Sequence, residues 1–329
     1  YKRCVFLAHL SLSLKKLYFR VNNINEEKLN ITYITQEEYF KLSKIKFDAV
    51  IGNPPYNDSN NGNIPIYGDF AKKASEVSDK ISFIIPSAFA LSDERGGGEI
   101  RKMLFGPHTK QVEFLPNDTF ENVYVETLSV TIDKTKKHNT KIVSRNGDSY
   151  FTNNYDYIFE DKLLYDILTK CNMITSSKSW IKFNRMENSK KSQNKVKTLT
   201  CINPTGKTYE ETNTIDKFLG NHRVVTSFFQ DPNFRHYLTY TVEPDISIKD
   251  GYTVSLCRSE NEANNLVNFI KSNLFLAIYK KTRTSRTLRT PQLKFIPKVD
   301  LSKKYTDQDL YTHFKLEPEE IDYIESVIR

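Results

Sequence analysis

The chain has 329 residues, which is long enough for two domains that each bury a core of their own. Hydrophobic residues make up 38% and no apolar run approaches the roughly 18 residues of a membrane span, so we expect a folded, cytoplasmic protein with no membrane partner. The net charge of +8 suits a polyanionic partner.

The first part of the chain alternates helical and extended patterns. An amphipathic run at residues 5–20 predicts a helix, and the alternation at 29–34 predicts a strand. A helix-like stretch at 36–44 leads to the apolar run 47–51, which we interpret as a short buried strand. The elements predicted next are a helix at 65–77, a strand at 80–86, a helix at 99–104 and strands at 111–115 and 123–133. This order indicates a doubly wound α/β domain.

A Gly-Asn-Pro-Pro-Tyr motif follows the predicted strand 47–51 and is the strongest functional signal in the chain. The side-chain oxygen of Asn53 and the carbonyl of Pro54 can each accept a hydrogen bond from a planar amine. Pro55 stiffens the turn, and Tyr56 offers a ring that can stack on a flat substrate. The motif therefore predicts a site that holds a delocalised amine and prepares it for alkylation. A proline-rich turn that serves as a ligand for a small recognition domain is the alternative.

At this motif the chain resembles the amino-methyltransferases that use S-adenosylmethionine, specifically the Eco57I-like DNA adenine-N6 methyltransferases of restriction-modification systems. The resemblance implies that Asn53, Pro54, Pro55 and Tyr56 form the catalytic tetrad. It also implies that Phe120 stacks on a flipped adenine opposite Tyr56, although a core aromatic is the alternative for this residue. Double-stranded DNA is the implied substrate, and a restriction or specificity subunit is an implied further partner.

The family's glycine-containing cofactor loop is not found in the sequence. The glycine run at 96–98 lies downstream of the motif and is interpreted as a linker, with a mobile loop over the active site as the alternative. The resemblance implies Gln36, Glu37 and Asn53 as cofactor contacts. We expect a Rossmann-like catalytic domain that is incomplete at its N-terminus, with the loop located upstream of Tyr1. A separate subunit that supplies the loop, or a degenerate enzyme, are the alternatives.

The second part of the chain has a different character. A polar stretch at 134–146 predicts a linker, so we place a partial catalytic domain at 1–140 and an α+β target-recognition domain at 141–329. A helix is predicted at 260–279, and two short capped helices at 306–311 and 316–321. This ending also resembles the carboxyl terminus of the family named above.

Two basic clusters in the second part suit contacts with phosphates. They lie at 178–207 and 279–304 and are interleaved with Trp180, Phe183 and Tyr279, aromatic residues that could insert into a groove. The alternative is a solvated basic face. The predicted DNA-binding residues are Lys182, Arg185, Lys190, Lys191, Arg283, Arg286 and Arg289.

The four cysteines, Cys4, Cys171, Cys201 and Cys257, are widely separated. This spacing favours free thiols in a reducing cytoplasm and predicts no metal site. The sequence as a whole predicts a site-specific DNA methyltransferase that acts on N6 of a flipped adenine. A DNA-binding subunit without its own cofactor site and a glutamine-N5 protein methyltransferase are the alternatives, since a side-chain amide has the same delocalised nitrogen.

Overall fold

A computed structural model describes residues 2–7, 29–34, 40–42, 46–54, 67–93, 97–120, 125–174, 179–186, 190–227, 238–283 and 290–329. The chain divides into two compact units, Tyr1–Lys162 and Leu163–Arg329. None of the helices in these ranges is long and apolar enough to span a membrane.

The first unit is built on one eight-stranded mixed sheet with the order β2-β1-β3-β4-β6-β5-β7-β8. The strands are β1 Lys2–Leu7, β2 Leu29–Ile34, β3 Ala49–Gly52, β4 Lys80–Pro86, β5 Thr109–Phe114, β6 Thr127–Asp133, β7 Thr140–Val143 and β8 Ser149–Thr152. The helices are α1 Tyr67–Val77 and α2 Gly97–Leu104, and α3 Lys162–Lys170 begins at the boundary of the unit.

Strand direction decides which chain segments meet at one edge of this sheet. β1, β2, β3 and β4 are mutually parallel, and β6 runs antiparallel between β4 and β5. β5 therefore has the direction of β4, and β7 pairs parallel with β5. As a result, the carboxyl ends of β3, β4, β5 and β7 lie at the same edge, together with the amino end of β6.

The centre of the sheet is buried because its strands are apolar on both faces. Val50 and Ile51 in β3 are fully buried, and the middle of β4 is equally inaccessible. Helix α1 buries Phe70, Ala74 and Val77, whose spacing places them on one side of a helix. The predicted strands at 29–34 and 80–86 and the helix at 65–77 are confirmed, with α1 described from Tyr67 onward.

Three predictions for the first unit are wrong. Gly97 and Gly98 begin helix α2 and do not form a linker. Residues 5–7 belong to strand β1 rather than to a helix, because pairing with β2 on one side and β3 on the other outweighs the local helical pattern. The polar stretch 134–146 is not a linker, since it contains β7, which pairs with β5. The first unit consequently extends past residue 140 to Lys162.

In its described residues, the second unit combines two sheets with helix α3 and four further helices. One sheet has the order β11-β10-β14 and the other β13-β12-β15-β9. The strands are β9 Asn184–Arg185, β10 Lys190–Asn203, β11 Gly206–Ile215, β12 His222–Ser227, β13 Thr239–Val242, β14 Ser247–Ile248 and β15 Tyr252–Cys257. The helices are α4 Glu260–Ile270, α5 Asn273–Thr282, α6 Asp307–His313 and α7 Pro318–Ile328.

The single helix predicted at 260–279 is instead a pair. Helix α4 ends at Ile270, and the hydroxyl of Ser272 accepts a hydrogen bond from the backbone N–H of Phe275 to begin α5. The apolar pattern runs through both helices, so it does not reveal the cap between them. The short helix predicted at 306–311 is confirmed as α6, which Thr306 and Asp309 cap reciprocally.

A buried ion pair joins the strands of the second unit. Asp216 accepts hydrogen bonds from Arg223 Nη1 at 2.8 Å and from the backbone N–H groups of Phe218 at 2.7 Å and Ile248 at 2.8 Å. The side chains of Asp216 and Arg223 are both 0% exposed. Burial lowers the pKa of Arg223, and the neighbouring Asp216 carboxylate opposes that change.

Candidate functional site

Asn53 directly follows Gly52, the last residue of β3, whose four residues are all buried. Its side chain is half-buried, and its Oδ1 atom is buried and accepts no hydrogen bond from the part of the chain that the structure describes. Pro54 is buried beside it. Pro55 and Tyr56 lie outside the described residues, so their predicted roles stay predictions.

The strand order changes direction between β1 and β3, next to Asn53. The connection from β1 leads to β2 on one side, whereas β3 is followed by β4 on the other side. Ligands of open α/β sheets bind at such a switch point, outside the carboxyl ends of the strands. Gln36 and Glu37, the predicted cofactor contacts, follow β2 in sequence and fall outside the described residues.

Phe120 lies in the connection from β5 to β6, at the same edge of the sheet as Asn53. Its side chain is half-buried. A turn precedes it, in which the backbone N–H and the hydroxyl of Thr119 both donate to the carbonyl of Pro116, at 3.1 Å and 2.6 Å. The fold therefore places Phe120 at the same edge of the sheet as Asn53, which the spacing in the sequence does not establish, and its stacking role stays a prediction.

Arg145 is a residue at this edge that the sequence did not indicate. It follows β7 and contacts both ends of the β5–β6 connection: Nε donates to the carbonyl of Leu115 at 3.1 Å and Nη2 donates to Glu126 Oε2 at 3.0 Å. Nη1 pairs with Glu160 Oε2, and the guanidinium lies 5.8 Å from the ring centre of Phe114. These partners are distant in the sequence, so no local pattern connects them.

The segment after β4 is fastened by a second cluster at the same edge. The Tyr157 hydroxyl donates to Asp93 Oδ2 at 3.0 Å, and Arg101 donates to the carbonyl of Ser92 at 2.7 Å. Arg101 also lies 4.3 Å from the centre of the Tyr157 ring. Burial raises the pKa of Tyr157 to about 12, and the hydrogen bond to Asp93 acts in the same direction, so the phenol keeps its proton at neutral pH.

A cavity of about 450 Å³ in the first unit lies away from Asn53. Ile81, Thr109 and Ile132 line it, and they mark the amino ends of β4 and β5 and the carboxyl end of β6, so it opens at the opposite edge of the sheet. Among the residues with described positions, no group of His, Cys, Asp and Glu side chains is arranged to hold a metal ion.

The predicted DNA-binding residues of the second unit are largely accessible. Lys182, Arg185, Lys190 and Lys191 are exposed, and the last two begin β10. The Nη1 atom of Arg283 is buried and donates to no acceptor in the described ranges. Arg286 and Arg289 lie outside those ranges.

The aromatic residues between these basic side chains have a structural role. Tyr279 is 0% exposed and Phe183 is buried. Trp180 Nε1 donates to the carbonyls of Ile296 at 3.1 Å and Pro297 at 3.2 Å. The prediction that Phe183 and Tyr279 insert into a groove is therefore wrong, because the core of the unit already contains them. Trp180 is half-buried, and its contact with a groove stays a prediction.

Asn53 and β1 to β5 fall within residues 2–119, which match the model of the Eco57I restriction-modification methylase family. The resemblance inferred from the Asn-Pro-Pro-Tyr motif is thus confirmed. The chain is also similar to one curated protein, an uncharacterized adenine-specific methylase from Mycoplasma pneumoniae, with 30% identity over 192 residues. That alignment covers 48% of this chain and 46% of the relative, so the chain spans about half the length of the protein it matches.

The structural comparison also matched solved restriction-modification enzymes. The type IIL restriction-modification enzyme MmeI in complex with DNA is 8% identical and covers 96% of this chain and 59% of its own, with a TM-score of 0.43. The type IIG restriction endonuclease BpuSI is 12% identical and covers 91% and 55%, with a TM-score of 0.37. A type I methyltransferase subunit from Streptococcus thermophilus is 15% identical and covers 46% of both chains, with a TM-score of 0.28.

Proposed function

We propose that this chain acts in a restriction-modification system as a DNA adenine-N6 methyltransferase, with an adenine that is turned out of double-stranded DNA as its target. The family match over residues 2–119 and the similarity to an adenine-specific methylase support the reaction class. S-adenosylmethionine supplies the methyl group when bound.

The observation that carries the proposal is the unpartnered Oδ1 atom of Asn53. A buried acceptor without a donor costs about 1–3 kcal/mol, so such an atom in a folded protein calls for an explanation. The exocyclic amine of adenine has N–H groups that can donate a hydrogen bond to Asn53 Oδ1. A ligand with a planar amine would satisfy this acceptor at the ligand-binding edge of the sheet.

The residues of the tetrad divide the chemistry between them. The Asn53 side-chain oxygen and the Pro54 carbonyl each accept a hydrogen bond from one N–H group of the amine. These two hydrogen bonds favour a tetrahedral nitrogen, whose lone pair is less conjugated with the ring and can attack the methyl group. Tyr56 and Phe120 stack on the two faces of the base, and this stacking offsets the few kcal/mol that it costs to extrude it from the duplex. Pro55 keeps the turn rigid, so little entropy is lost on alignment.

The second unit supplies the contacts with the DNA backbone in this proposal. The exposed cations Lys182, Arg185, Lys190 and Lys191 suit phosphate groups, and each phosphate contact releases condensed counterions. Arg283, at the end of α5, is a further residue of this proposed surface. Arg286 and Arg289 belong to the same proposed surface.

Substitution of Asn53 tests the proposal in the full-length protein. With unmethylated genomic DNA and S-adenosylmethionine, we expect Asn53→Ala to lower kcat for N6-methyladenine formation about 100- to 1000-fold, the usual loss when one preorganised hydrogen-bonding group is removed. Asn213→Ala, which changes an exposed asparagine of β11, is the matched control and should leave kcat unchanged.

Three measurements on the full-length protein separate the proposed function from its alternatives. Undiminished adenine methylation by Asn53→Ala would refute the role of the tetrad. If the full-length wild type binds DNA but no S-adenosylmethionine in calorimetry, it is a DNA-binding subunit that lacks its own cofactor site. If a protein glutamine gains the methyl group and DNA does not, it is a glutamine-N5 methyltransferase.

A further inference from the structure

We infer that Arg145 is a positioning residue, which sets the place of Phe120 by holding both ends of the β5–β6 connection. The inference rests on the proposed function, since it assigns Arg145 a role in stacking the target base. Phe120 lies in this connection, and Arg145 lies in the turn between β7 and β8. Because β7 is parallel to β5, this turn and the connection are at the same edge of the sheet.

The contacts of Arg145 are placed where they restrain the connection most. Leu115 is the first residue after β5, and Glu126 is the last before β6. One guanidinium donates to the carbonyl of Leu115 at 3.1 Å and to the carboxylate of Glu126 at 3.0 Å, and it thereby closes the base of the connection. Backbone bonds reinforce both points: Leu115 N–H donates to Thr127 at 2.9 Å and Ser87 N–H donates to Glu126 at 2.8 Å.

Arg145 is itself held in place by Glu160. The Glu160 carboxylate accepts from the Arg145 backbone N–H at 3.0 Å and also from Nη1. The Arg145 side chain is 24% exposed and that of Glu160 is 23% exposed, so the pair is only partly in contact with water. All three nitrogens of the side chain are thus in use, which leaves the guanidinium little freedom to rotate.

The geometry calls for a guanidinium and not merely for a positive charge. Arginine presents its donors in a planar fork, whereas the ammonium of lysine is a point charge on a flexible stem. Lysine at position 145 could pair with Glu126 or with Glu160, but it could not span Glu126, Glu160 and the Leu115 carbonyl at once. The hydrogen-bonded turn at residues 116–119 connects Leu115 to Phe120, so the position of Phe120 depends on that of Leu115. A displacement at the base of the connection therefore moves the ring.

The test compares chemistry with DNA binding in the full-length protein. We expect Arg145→Ala to lower kcat about 10- to 100-fold, the range produced when a reacting group is misplaced by about an ångström, while KM for DNA changes less than about threefold. Arg145→Lys should recover little of this loss. With 2-aminopurine in place of the target adenine, at a site identified by methylation sequencing, both variants should give a fluorescence change on binding that differs from that of wild type, because stacking quenches 2-aminopurine.

The outcomes are separable. Arg258→Ala is the matched control, because it removes an exposed arginine that pairs with Glu262 and should leave kcat unchanged. If Arg145→Ala does not fold, Glu126→Ala replaces it in the test. The Glu126 side chain is 59% exposed, so its removal should leave the protein folded, and the loss of its contact with Arg145 should still lower kcat. Wild-type kcat and 2-aminopurine signal in a folded variant would overturn the inference, as would full rescue by lysine. Absence of methylation by wild type would instead refute the proposed function.

Discussion

The buried pair of Asp216 and Arg223 gives a sharp prediction about the second unit. Asp216→Ala leaves the Arg223 guanidinium without its counter-ion at a position that is 0% exposed. It also leaves the backbone N–H groups of Phe218 and Ile248 without their acceptor. Breaking a buried pair by removal of one partner costs about 3–5 kcal/mol, because a charge stays buried and uncompensated. This is a large share of the roughly 5–15 kcal/mol that stabilises a typical folded protein.

The single tryptophan makes the loss measurable for this unit alone. Trp180 lies in the second unit, where its indole N–H donates to Ile296 and Pro297, so its fluorescence reports the unfolding of that unit in urea. Asp216→Asn, which keeps an oxygen acceptor but no charge, should lose less stability than Asp216→Ala. Arg258→Ala, which removes the exposed partner of Glu262, serves as the control. If the midpoint for Asp216→Ala shifts no more than that of the control, the reasoning about the buried charge is wrong.

Three further predictions concern caps, thiols and charge. Ser272→Ala removes the N-cap of α5 and should cost about 1 kcal/mol in the same Trp180 assay; an unchanged midpoint would contradict the cap. Cys201 is exposed, whereas burial raises the pKa of Cys171 to about 12 and keeps its thiol protonated at mildly alkaline pH. Iodoacetamide should therefore alkylate Cys201 faster, and peptide mass spectrometry that finds equal rates would refute this. Lys190→Gln should reduce the slope of log K against log salt for DNA binding by about one, and an unaltered slope would exclude a phosphate contact.

The sequence predicted those parts of the candidate site whose functional groups belong to adjacent residues. Asn53 and Pro54 follow an apolar run, and such a run indicates a buried strand that ends at a ligand-binding edge. Phe120 was predicted only from the resemblance to the family. The chain has 21 phenylalanines, and its composition does not distinguish one of them from the others. Arg145 was not predictable, since Leu115, Glu126 and Glu160 reach it only through strand pairing.

The sequence by itself determined the local features of this protein. The apolar runs of β3 and β4, the capping pair of Thr306 and Asp309 and the Asn-Pro-Pro-Tyr motif all depend on neighbours within a few residues. Only the tertiary structure decided that residues 5–7 form a strand and that β7 extends the first sheet. The physical reason is that strand pairing satisfies the backbone with partners far along the chain, and no window of sequence contains both members of such a pair.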